Sequence, residues 1–266
     1  MQWYTKINTC FKRDLDKTSP TYNCIIPTEL TTPEFELLDK LNAKWEATEK
    51  VDGECTSIHL IPKTVDTEVM PGKWTEVSFY DVEVHGKTDK ANMRPDEVEL
   101  LKSLGDKDRL IEAFSCEQPA PEYGEGETVI VLPENECIIF GETYGKKMQA
   151  AGGRYCKDRL KFICFDIKIG NTWLKREAVE DICRKLGIDV VPYLGEMTLQ
   201  EAIEKVKTGF TSAVSEDPTL EAEGIVLRAP LGLLDRMGRR IITKVKSADF
   251  RNLQKALEKG VKNEQH

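Results

Sequence analysis

Hydrophobic and polar positions along this chain follow two periods. Runs with a period near two read as strands at residues 44–48, 55–61, 73–84, 125–132, 136–142, 160–169, 223–228 and 240–246. In the third of these, Val77, Phe79, Val82 and Val84 carry the alternation only in part. Helices are signalled by their caps as much as by their faces. Thr32 and Pro33 open one over 33–41, and Gly105 stops another over 95–104. A third covers 107–114. A fourth, over 175–186, places Val179, Ile182, Cys183 and Leu186 on one face, with Gly187 past its end. The stretch Thr198-Leu199-Gln200-Glu201 is a capping box that starts a fifth, and 249–259 reads as the last. Residues 85–89 read as a loop. Strands and helices do not alternate strictly, so the pattern predicts an α+β fold of antiparallel sheets flanked by helices, not a doubly wound sheet.

Length adds that 266 residues suffice for one large domain or two small ones. The chain has no apolar run long enough to span a membrane, and Met1 to Lys6 lacks the apolar stretch of an export signal. Eight cysteines are spread singly, with no Cys-x-x-Cys pair, which argues against a zinc site and for free thiols in a reducing compartment. A cytoplasmic location without membrane association is the expectation.

The net charge of −8 speaks at first against a polyanionic partner. Its distribution changes that picture. Residues 143–161 hold six Lys/Arg and one acid, and residues 228–262 hold ten Lys/Arg and three acids. These stretches carry +5 and +7, leaving −20 for the rest. A basic face on an acidic protein and two ordinary solvated faces both fit this segregation.

The candidate chemistry centres on Glu49-Lys50-Val51-Asp52-Gly53, at the break between two strands. Gly53 marks a turn where backbone can approach a ligand closely. Lys50 ends a strand there, and a lysine held neutral can act as a nucleophile. A solvated turn lysine fits the same four residues. Further along, Glu142, Glu223, Lys244 and Lys246 also fall at strand ends. Lys244-Val245-Lys246 puts two amines on one face of a strand. They repel unless an anion such as a triphosphate lies between them, and facing a pocket they would lower the Lys50 pKa. Glu223, before Gly224, suits a hard divalent cation, directly or through water. Each of these residues singly is also compatible with a solvated strand face.

In order, Lys50-Val51-Asp52-Gly53, Phe140-Gly141-Glu142, Phe165-Asp166, Glu223-Gly224-Ile225-Val226-Leu227-Arg228 and Lys244-Val245-Lys246 resemble the motifs of the covalent nucleotidyltransferases, the superfamily of polynucleotide ligases and messenger-RNA capping enzymes. The stretches from Gly141 to Gln149 and from Gly238 to Lys244 look most like small phage-type ATP-dependent RNA ligases. The resemblance covers about residues 44–250. It implies that Lys50 takes AMP from ATP as a phosphoramidate, that Lys244 and Lys246 hold the phosphates, and that Glu223 acts on Mg²⁺, with Mn²⁺ as the alternative ion. It implies a nucleotide pocket of Glu49, Lys50, Val51, Asp52, Gly53, Lys87, Glu142 on the ribose and Phe165 on the adenine. AMP would then pass to a 5′-phosphate end of RNA, and a 3′-hydroxyl would displace it, as in RNA repair. DNA ends and a protein partner for end recognition remain open, as does a phage origin, which would put the protein in a host cytoplasm.

Two residues depart from the pattern. Cys55 stands where DNA ligases usually carry an arginine, and Lys87-Thr88 where the next motif usually has arginine before threonine. A lysine cannot make the bidentate fork of an arginine. The expected organisation is a nucleotidyltransferase domain over 1–250 and a helical tail over 251–266, without room for an OB-fold domain. The rival readings are a minimal DNA ligase, a nucleotide- or end-binding module without sealing activity and, more distantly, a capping-type guanylyltransferase.

Overall fold

The computed structural model describes residues 4–88, 91–120, 122–124, 126–148 and 154–263. It has the expected α+β architecture and folds as two compact units. One comprises residues 5–52 and those from Val191 on; the other comprises Tyr4 and residues 53–190. The chain crosses from one to the other between Asp52 and Gly53, inside the lysine motif.

The first unit is built on a five-stranded sheet. Its order is Asn8–Thr9, Ile242–Lys246, Gly224–Arg228, Trp45–Lys50 and Tyr193–Met197. The first pairing is parallel and the others are antiparallel. Phe11–Arg13 pairs separately with Ile25–Leu30. Helices Pro33–Lys40 and Leu199–Thr208 bury Phe35, Leu38, Leu199, Ala202, Ile203 and Val206 against Trp45, Ala47, Ile225, Leu227 and Val245. The caps act as the sequence predicts: Thr32 accepts the Phe35 N–H, while Thr198 and Glu201 cap each other reciprocally. Trp45 is fully buried, and truncating such a side chain to alanine costs about 3–5 kcal/mol. The last helix runs over Ser247–Asn263, longer at both ends than predicted, and packs Phe250 and Leu253 on this core.

The second unit has a sheet ordered Thr172–Trp173, Leu160–Ile169, Cys137–Gly145, Glu54–Met70 and Lys73–Gly86, all antiparallel. Asp189–Val190 adds to Leu160–Ile169 in parallel. One sheet face, with Ile58, Leu60, Cys137, Ile139 and Phe162, packs on helices Pro95–Leu104, Lys107–Phe114 and Arg176–Leu186. Gly187 ends the last of these at φ 71°, where a side chain would be strained. His85 and Gly86, read as loop, belong to the strand. The predicted strand over 125–132 is shorter, Thr128–Val131, and pairs with Cys116–Pro119. In the Lys73–Gly86 strand, Val77 and Phe79 stay exposed: the apolar alternation continues into the outer half of a long hairpin, beyond the core. All eight cysteines are free. Among the described residues no helix is long and apolar enough to cross a membrane.

Candidate active site

Three strand ends meet in the first unit. Gly224 is opposite Lys50 on one side and opposite Lys246 on the other. The residue before it, Glu223, therefore lies between two amines. Lys50 Nζ donates to Glu223 Oε2 at 2.5 Å, and Lys246 Nζ lies 2.8 Å from Glu223 Oε1. The side chains of Lys50, Glu223 and Lys246 are 18%, 13% and 30% exposed, so water screens this cluster less than it would a surface pair. Lys50 Nζ also donates to the Val51 carbonyl at 3.2 Å. Gly224 is required by close approach: a Cβ there would stand 2.1 Å from the Val245 carbonyl oxygen. Burial pulls the Lys246 pKa down, but the hydrogen bond and charge of Glu223, with Asp249 and Asp52, outweigh it and leave the pKa raised. A carboxylate thus stands between Lys50 and Lys246, whereas the repulsion expected from the sequence concerned Lys244 and Lys246 on one strand face.

Lys244 shares the face of Lys246, since the intervening Val245 and the preceding Thr243 point into the core. Glu49 has a different setting from its neighbour Lys50. It is 1% exposed, and its carboxylate accepts from Ser212 Oγ at 2.5 Å and from the Ala213 N–H at 2.9 Å. Burial pushes its pKa up against these hydrogen bonds. Val51 is buried and Asp52 half-buried, ending this unit's share of the motif.

The remaining candidates belong to the second unit. Gly53 lies so close to the Thr143 carbonyl that a Cβ would stand 2.2 Å from its oxygen, and its N–H donates to Glu142 Oε1 at 3.2 Å. Cys55 is directly opposite Glu142 in the sheet. Lys87 is exposed in the bend after Lys73–Gly86. Phe165 sits at a register shift between Cys164 and Asp166, and this bulge leaves the ring half-buried.

Sequence reasoning missed what surrounds Phe165. The Tyr4 ring packs edge-on against it with centroids 4.8 Å apart, and also touches Phe140 and Trp173. The Tyr4 hydroxyl donates to Asp166 at 2.7 Å. Ser212 was missed as well. Neither residue lies near a recognisable motif, so the sequence carried no signal for them.

The basic stretch over 143–161 belongs to the second unit and that over 228–262 to the first. Gln149 and the glycine-rich Ala151-Gly152-Gly153 fall outside the described residues, as does Asp89 of the predicted loop. Arg228 pairs with Glu46 at 3.5 Å, and Arg239 with Asp235 at 2.8 Å. Part of the positive charge in the second stretch is therefore met within the unit.

A model of the RNA ligase family matches residues 43–246. No curated protein matches. Among solved structures, the chain is similar to a Naegleria gruberi RNA ligase variant with ATP and Mn, at 14% identity and a TM-score of 0.52, over 96% of this chain and 64% of that one. It is similar to another variant of that ligase with AMP and Mn, at 14% identity and a TM-score of 0.51, again over 96% and 64%. The same ligase with PPi matches at 14% identity and a TM-score of 0.50, over 94% and 63%. Likeness at this identity is likeness of fold, and the chain spans less than two thirds of the length of these relatives.

Proposed function

The chain belongs to the RNA ligase family, and on that premise we propose that it is an ATP-dependent RNA ligase working through a lysyl-AMP intermediate. The observation that carries this reading is the bridge from Lys50 through Glu223 to Lys246 at the ends of three paired strands. In the first step the Lys50 amine attacks the α-phosphorus of ATP. The N–P bond forms, the bond to the β-phosphate oxygen breaks, and pyrophosphate leaves. The proton lost by Lys50 has an acceptor within reach in Glu223 Oε2, at 2.5 Å. Lys244 and Lys246 offer positive charge to the phosphates on one strand face, and such preorganised charge is the main lever in phosphoryl transfer.

The donor chemistry at Glu223 fits a hard divalent cation. Both carboxylate oxygens carry ammonium partners, so Glu223 would hold such an ion through water, or directly once phosphate has engaged those amines. When bound, Mg²⁺ or Mn²⁺ supplies charge neutralisation of the polyphosphate. Glu142, tied to the Gly53 N–H, is the acceptor for ribose hydroxyls, and the half-buried face of Phe165 offers a stacking surface for adenine. In the second step an oxygen of the 5′-phosphate end attacks the AMP phosphorus and Lys50 leaves. In the third, a 3′-hydroxyl attacks the activated end and AMP leaves, sealing the strand.

The test is incubation with labelled ATP, GTP or NAD and Mg²⁺, mass mapping of the adduct, and transfer to matched RNA and DNA ends. ATP labelling followed by transfer to RNA is expected. Efficient sealing of all-DNA nicks would favour a DNA ligase, and a labelled protein that passes AMP to no 5′-phosphate end would favour a binding module.

A further inference from the structure

The strand that carries Glu142 ends in a tight turn bearing two lysines. Gly145 has φ 108°, and a Cβ there would stand 2.3 Å from the Arg159 carbonyl oxygen. The Met148 N–H donates to the Gly145 carbonyl at 3.0 Å and closes the turn, and the Lys146 N–H donates to the Arg159 carbonyl, also at 3.0 Å. Lys147 holds the third position at φ 61°, in the left-handed region where glycine or asparagine is the unstrained choice. Met148 is buried, while Lys146 and Lys147 project into solvent. A side chain kept at positive φ needs surrounding contacts that over-determine it, and such strain gathers at functional sites.

Those contacts come from Arg94. Its Nη1 donates to the Lys147 carbonyl at 2.8 Å, and its Nη2 reaches the Lys146 carbonyl at 3.4 Å. Arg94 is itself fixed. Its N–H donates to the carboxylate of the fully buried Glu97 at 3.3 Å, its Nε lies 3.2 Å from Asp96, and Pro95 starts the helix after it. One rigid guanidinium fork thus sets both peptide units of the turn, where a lysine would offer a mobile point charge without that fixed geometry.

We propose that Arg94 is a positioning residue that holds the Lys146–Lys147 turn as a phosphate grip for the RNA strand, an inference resting on the ligase reading above. The turn lies three residues beyond Glu142 on one strand, about 10 Å at strand rise. A strand lying along this unit past Glu142 would carry its phosphates over these two amines. The grip recognises the backbone and not base sequence.

The experiment is anisotropy of a 5′-phosphorylated RNA oligonucleotide over a salt series, with AMP transfer measured separately. Arg94→Lys is expected to weaken binding about tenfold and to flatten the salt dependence by one to two contacts, as displaced phosphate partners require. In a Lys146→Gln/Lys147→Gln background the same change should add less than about twofold, because Arg94 acts through these two residues. Lys147→Gly keeps the turn without strain and should lower the salt slope by about one. If Arg94→Lys does not fold, Arg94→Gln, which keeps a donor for one carbonyl, is read the same way. Unchanged affinity and slope, or an equal loss in the Gln background, overturns the grip and leaves the ligase reading standing wherever the wild type transfers AMP to RNA. A wild-type protein that neither binds this RNA nor passes AMP to it overturns both.

Discussion

Lys50 and Glu223 are 173 residues apart in the chain, yet the amine of one lies 2.5 Å from the carboxylate of the other. The contact follows from strand register, since Gly224 is paired with both Lys50 and Lys246. Removing the carboxylate leaves two partly buried ammonium groups facing each other, whereas removing one lysine leaves Glu223 with one partner. Breaking one side of a shielded pair costs more than the pair itself contributes.

ATP, not GTP or NAD, should label the protein, and the adduct should map to Lys50. Lys50→Ala should give no adduct. Labelling of that variant at normal levels would assign the nucleophile to another residue.

Glu223→Ala and Lys244→Ala should each lower the rate of self-adenylylation by about 10²- to 10³-fold, the usual loss when one preorganised charge leaves a phosphoryl-transfer site. The measurement is single-turnover labelling at saturating ATP. Near-normal rates in both variants would make these two residues ordinary strand-face charges.

Gly224→Ala should destabilise the first unit and misplace Glu223 together. The new Cβ would stand 2.1 Å from the Val245 carbonyl oxygen, which is main chain and cannot swing aside. Overpacking of this kind costs about 1–3 kcal/mol or more. A urea midpoint equal to that of the wild type, with normal labelling, would contradict it.

Glu49→Gln gives a pH signature. Burial raises the folded-state pKa of Glu49 above its ordinary value of 4.5. A carboxyl raised in this way contributes its stability fully below the ordinary value and loses it as pH rises through the folded pKa. The amide does not titrate, so the melting temperature of Glu49→Gln minus that of the wild type should grow more positive as pH rises above 4.5. A flat difference above that pH would mean the folded carboxyl titrates normally.

RNA with a 5′-phosphate and a 3′-hydroxyl should be sealed better than nicked all-DNA, with weak, salt-sensitive binding. Neutralising Lys146, Lys147 and Arg154 together should impair AMP transfer to the end while self-adenylylation continues at Lys50. Transfer kinetics in low and moderate salt, set beside labelling kinetics, separate the two steps. Equal loss in both would place these residues at the nucleotide.

Much of the fold was legible because it is local. Helix Pro95–Leu104, helix Lys107–Phe114 and strand Leu160–Ile169 lie where caps and periodicity put them. Thr198 and Glu201 form the capping box their spacing announces. The motif order that resembles nucleotidyltransferases was likewise carried by short runs of adjacent residues. Strands of two residues, such as Asn8–Thr9 and Asp189–Val190, hold no period to read and exist only because a longer strand offers them hydrogen bonds.

The sequence by itself determined which residue types carry the charge on these strands, and it placed Lys50, Glu223 and Lys246 at or beside strand ends. Glu142 and Lys244, also expected at ends, lie inside Cys137–Gly145 and Ile242–Lys246. Pairing with neighbouring strands carries the first past its apolar run and sets the second between Thr243 and Val245. Tertiary structure decided what each one meets. It set Glu223 between two amines, turned Glu49 into the core against Ser212, and brought Tyr4 onto Phe165. It bent the Lys146–Lys147 turn around Arg94 and carried the chain from one compact unit to the other between Asp52 and Gly53. The reason is physical: alternation along a strand fixes the face a side chain takes, but its partner comes from the register of another strand or from a loop, tens to hundreds of residues away.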